Sequence, residues 1–160
     1  MTEFVPDLAR MLAGSDVATW LRTARWGYAF LNGFHILGLA LLVGSIVPMD
    51  LRLIGITRRP AVPDLARALV PVAAVGLGLA VITGFLLFSV RANEYLGLWI
   101  FQLKLGLIAV AGGSALLLHI AHGFLLRTAP AGRLRLAGLL SITCWLTALF
   151  AGRMIGFMGD

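Results

Sequence analysis

Four stretches of this chain carry no formal charge over lengths that a soluble fold of this size could not hide. Tyr28 to Pro48 runs 21 residues, Ala68 to Val90 runs 23, Leu105 to Leu126 runs 22 and Leu136 to Gly152 runs 17. About 20 apolar residues cross the hydrocarbon core of a bilayer as a helix. Inside that core every backbone N–H and C=O must find its partner within the protein, so runs of this kind fold as helices. The sequence therefore predicts an all-α integral membrane four-helix bundle, one domain over residues 27–158, with spans at about 27–48, 68–90, 96–126 and 136–157. Composition agrees: 12% of residues are charged, about half the usual share in a soluble domain.

Residues 1–26 are more polar and end in Trp20, Arg22, Arg25 and Trp26. Ser15 and Asp16 read as a helix start, with Val17, Trp20 and Leu21 on one face. That pattern predicts a short N-terminal interfacial helix with its tryptophans at headgroup level. The arginines fall between the spans. The formal charge of +6 is then a topology signal and a set of headgroup contacts, and nucleic acid is not expected as a partner. The first and third loops hold Arg52, Arg58, Arg59, Arg67, Arg127, Arg133 and Arg135. The opposite side holds Arg10, Arg22, Arg25, Arg91 and Arg153. The excess favours loops one and three inside and both termini outside, which in a bacterium means a multi-pass inner-membrane protein with periplasmic termini. The single Cys144 lies within the fourth span and says nothing of redox compartment.

Ionisable groups inside spans cost several kcal/mol and are candidates for function. Here they are His35, Lys104, His119, His122 and Arg153. At about 1.5 Å per residue, His35 and Lys104 each lie roughly 12 Å below the outer surface on the first and third spans. Arg153 sits near the outer end of the fourth. Three basic groups from three helices thus meet in one half of the bundle. On the first span Tyr28, Asn32, His35, Gly38 and Ser45 form one stripe, opposite Phe30, Phe34, Leu37 and Leu41, so the polar stripe should face inward. On the third, Lys104, Ala111, Ala115 and His122 share a face, with His119 about 60° away. Gly76, Gly78 and Gly84, and Gly112, Gly113, Ser114 and Ala115, are small-residue surfaces that permit close helix approach. Pro71 is expected in the first turn of the second span.

Histidine within a helical bundle suits haem, with facing helices as pocket walls. His35 would be an axial ligand and Lys104 a second ligand or pocket cation. Arg153 and Arg91 would pair with propionates, with Asn32 and Tyr28 nearby. His119 lies about 22 Å deeper than His35 and shares a helix side with His122, so these two cannot flank one iron; interfacial or structural roles suit both. A plainer reading of the outer group is that His35 bonds across helices and Lys104 reaches a carbonyl or lipid phosphate. Met1, Met11, Met154 and Met158 would all be on the outer side, which with His35 would suit copper. Asp50 and Arg52, at the inner end of the first span, could pair locally or with the third loop.

Two motif groups carry a resemblance. Phe34-His35-Ile36-Leu37-Gly38 with Val43-Gly44, and Thr83-Gly84-Phe85-Leu86-Leu87 followed by Tyr95 and Leu103-Lys104-Leu105, resemble the membrane domain of the copper-resistance protein D type and the HemJ-type protoporphyrinogen oxidase. The latter is a small haem b-binding bundle in which a histidine and a lysine at the positions of His35 and Lys104 matter for function. The chain also resembles uncharacterised small bacterial membrane proteins with a His-Ile-Leu-Gly and Asp-Leu-Arg-Leu pattern. What the resemblance implies is a haem b protein passing electrons to or from a quinone or a redox partner. The alternatives are copper transport or delivery, and a non-catalytic subunit of a homo-oligomer or larger complex.

Overall fold

The computed structural model describes residues 10–90 and 92–158, and it is all helix and turn across them. Four helices are long and apolar enough to cross a membrane, and they pack as a bundle. In chain order the elements are α1 (Asp16–Thr23), α2 (Arg25–Ile54), α3 (Val62–Val90), α4 (Ala92–Leu96), α5 (Trp99–His122) and α6 (Ala131–Met158). The chain is thus a multi-pass membrane protein whose surface is largely hydrocarbon. Phe30, Phe34, Val75, Phe85, Leu117 and Phe150 all stand more than half exposed, as lipid-facing side chains must.

Local chemistry sets the helix ends. Ser15 caps α1, its side chain accepting from the Ala18 N–H, which satisfies one of the orphan donors of a first turn. Ala18 and Leu21 of α1 are buried, while Trp20 is 60% exposed. Its ring lies against Gly27. α1 folds back on α2 and α3; residues 1–9 of the proposed interfacial segment lie outside the described residues. α2 ends at Gly55, whose φ of 97° is the left-handed cap that glycine adopts without strain. α5 begins at Trp99 and ends at His122, shorter than the 96–126 span expected, because Gly123 at φ 73° turns the chain out of the helix. Pro71 stands inside α3 rather than in its first turn, since the helix already starts at Val62, outside the apolar run.

The spans do not pack evenly. α2 packs on α3, α5 on α6 and α2 on α6, whereas the backbones of α3 and α5 stay apart and meet through side chains such as Phe88 and Phe101. The tightest crossing joins α2 to α3. A Cβ on Gly38 would stand 2.7 Å from the Ala80 nitrogen, and one on Gly76 would stand 2.6 Å from the Leu42 nitrogen. Backbone rather than a flexible side chain occupies that space, so nothing can yield. Leu41, expected to face lipid, packs its Cβ against Gly76. By contrast a Cβ on Gly78, Gly112 or Gly113 would meet nothing within 4 Å; those glycines do not bring helices together. We expect Gly76→Leu to destabilise the fold by about 1–3 kcal/mol or more through overpacking, with Gly78→Leu close to neutral. Unfolding midpoints of the two variants in detergent measure the difference.

Candidate functional site

The unequal packing leaves two cavities stacked along the bundle, one in each half. The outer one has a volume of about 480 Å³, within the roughly 300–1,000 Å³ range of ligand and cofactor pockets. All five residues expected to form a site line it: Tyr28, Asn32 and His35 from α2, Lys104 from α5 and Arg153 from α6. The inward stripe on α2 explains three of them. Its Gly38 and Ser45 are buried, while Phe30, Phe34 and Leu37 opposite are exposed.

His35 is held in one protonation pattern by its neighbours. Its Nδ1 lies 3.0 Å from the Thr83 hydroxyl, and that hydroxyl lies 2.6 Å from the Leu79 carbonyl. A carbonyl only accepts, so the single Thr83 proton goes to Leu79 and Nδ1–H donates to Thr83. The lone pair is then on Nε2, the nitrogen a metal would take, and the other ring nitrogen has the hydrogen-bonded support that orients metal-binding histidines. Gly84 makes the approach possible: a Cβ there would stand 3.0 Å from the His35 Cε1. Any larger residue would push the ring away.

Lys104 is held from the other side of the cavity. Its stem lies along α6 at Gly152, where a Cβ would stand 3.2 Å from Nζ and 3.4 Å from Cε. Lys104 and His35 line the same cavity. The two basic groups therefore come from opposite helix pairs, His35 seated on α3 and Lys104 on α6. Phe88, Tyr95 and Phe101 form a stacked aromatic wall, with Phe88 and Phe101 centroids 5.2 Å apart and nearly parallel. Trp145 closes the cavity toward the interior. The result is an apolar chamber with two nitrogens within it and Tyr28, Asn32 and Arg153 also on its wall.

The remaining candidates lie elsewhere. His122 sits at the end of α5, where its Nε2 is 2.9 Å from Arg133 and its Nδ1 is 3.4 Å from Thr128. It ties α5 to the start of α6. His119 lies on the wall of the inner cavity. Arg52 donates from Nε to the Pro60 carbonyl at 2.7 Å. Asp50 forms no ion pair among the described residues; it is 3% exposed and shares the wall of the inner cavity with Ser141. Arg91 and Met1 lie outside the described residues, as does the Met158 side chain. Met11 and Met154 are exposed, and neither lines the cavity of His35.

Thr83, Gly84, Gly152 and the aromatic wall complete the site without having been assigned a part in it from sequence. Thr83 had a usable signal: it lies seven residues from the outer end of its span, roughly 10 Å deep, level with His35. No protein-family model, curated protein or solved structure matches this chain, so its function must be read from its own residues.

Proposed function

We propose that the outer cavity binds haem b and that the protein passes electrons across its half of the bilayer, between a quinone and a partner on the outer side. The observation that carries this reading is the relay from His35 Nδ1–H through the Thr83 hydroxyl to the Leu79 carbonyl. It leaves Nε2 as the donor atom of a half-buried imidazole beside a largely apolar cavity of fitting size. His35 would be the axial ligand and Lys104 a second ligand or a cation beside it. Arg153, Tyr28 and Asn32 would receive the carboxylates of the macrocycle, and the aromatic wall would cover its apolar edge. Bound there, haem supplies a one-electron redox couple. The protein's share of the work is to fix the imidazole, keep water from the pocket and set the local charge.

The resemblance to the copper-resistance protein D and HemJ types, carried by His35 and Lys104, points the same way. The excess of arginines in the loops after the first and third spans supports a bacterial inner-membrane protein with periplasmic termini. Copper handling by His35 with the outer methionines has less support, because Met154 is not on the cavity wall.

Titration of the detergent-purified protein with haemin tests the reading. Saturation at one haem per chain with a Soret band is expected, and Thr83→Val should weaken binding about 10–100-fold by releasing the imidazole. A titration with no saturable component would sink the assignment.

A further inference from the structure

The inner cavity, of about 370 Å³, is lined almost wholly by apolar side chains, with Asp50 and His119 among them. Each of these two buries a polar atom with no hydrogen-bond partner: Asp50 Oδ2 and His119 Nε2. Buried polar groups are nearly always paired, so two orphans on one cavity call for a physical explanation. His119 Nε2 is an acceptor, and Asp50 Oδ2 is one when the carboxyl is ionised. His119 Nδ1 lies 2.8 Å from the Ala115 carbonyl and must donate to it, which leaves Nε2 with a lone pair. A carboxylate oxygen likewise accepts. A ligand that answers both brings O–H donors on an otherwise apolar body.

Access has a direction. The cavity lies where the backbones of α3 and α5 stand apart, and its wall includes Ala74 and Leu116, both exposed on the lipid-facing surface. A molecule dissolved in the bilayer can enter there and leave an apolar tail in the gap. Phe124 and Trp145 add aromatic surface to the wall. We propose that this cavity is a binding site for a bilayer-soluble hydroquinone, with its hydroxyls donating to His119 Nε2 and Asp50 Oδ2. Both atoms are covered in the structure, so the head group gains them as the imidazole and carboxyl turn toward the cavity. The choice of a redox-active phenol over another hydroxylated lipid rests on the haem reading of the outer site; the cavity, its opening and its acceptors do not. Trp145 and Leu42 line both cavities, so the two sites share a wall.

The test is equilibrium binding of a decyl-substituted benzohydroquinone, kept reduced, to the full chain in lipid nanodiscs. Its dimethyl ether, which has the same body and no O–H donor, is the comparison. Saturable binding of the hydroquinone at one per chain is expected, with the ether at least tenfold weaker. His119→Phe keeps the ring shape without the acceptor and should weaken the hydroquinone about tenfold, the loss of one hydrogen bond. The comparison of ligands holds even if that variant fails to fold. His35→Ala should bind the hydroquinone as wild type does, so failure of haem binding is read separately. No saturable binding, or equal binding of hydroquinone and ether, would overturn the proposal.

Discussion

His35→Ala is expected to remove haem from a protein that otherwise keeps its fold. The imidazole has its protonation fixed by a relay of its own, from Nδ1 through Thr83 to the Leu79 carbonyl. Losing it leaves Lys104 with no partner across the cavity, and the Soret band of the purified protein should fall to background. Truncation also opens a space beside Gly84, where the ring now sits, so imidazole added in solution should enter and restore much of the band. A variant that keeps full haem occupancy would show that the iron is held elsewhere. The unfolding midpoint separates ligand loss from collapse. His35 makes one hydrogen bond between helices, and such bonds in membranes average only about 0.6 kcal/mol.

The second large effect is expected at Lys104. Its stem is laid along Gly152 and it shares the cavity with His35, so the ammonium should favour the reduced, less positive state of a bound haem. A unit charge within about 10 Å at an effective dielectric constant of about 20 is worth on the order of 1–2 kcal/mol. For one electron that is roughly 50–90 mV. Lys104→Met keeps the length of the side chain and removes the charge. The midpoint potential should drop by that amount while haem stays bound, as measured by redox titration. Conversion to a five-coordinate, high-spin spectrum in the same variant would make Lys104 the second axial ligand rather than a neighbouring cation.

Much of this was legible before any coordinates. Uncharged runs of span length dictate helices, and matched depth from the outer surface pairs His35 with Lys104, because rise per residue is nearly constant. Helical phase left more open. It set His122 on one face with Lys104 and His119 about 60° away, and interfacial or structural roles suited both. His122 bonds Thr128 and Arg133 at the helix end, whereas His119 lies on the wall of the inner cavity. The small-residue surfaces show the same limit. Gly76 and Gly38 do meet at a crossing, but Gly112 lines a cavity and brings no helix closer. A run of glycines states that close approach is possible, and only packing decides where it occurs. Thr83 went unassigned because a hydroxyl in a helix usually returns its proton to its own backbone. It does so here as well, and the lone pair that remains is what His35 uses.

The most direct test of the central claim is a dithionite-reduced minus oxidised absorption spectrum of the detergent-purified protein, expressed with a haem precursor. The expected result is a b-type α band and Soret shift at about one haem per chain, absent from His35→Ala prepared in parallel. A colourless wild-type protein that stays colourless after haemin is added would contradict it.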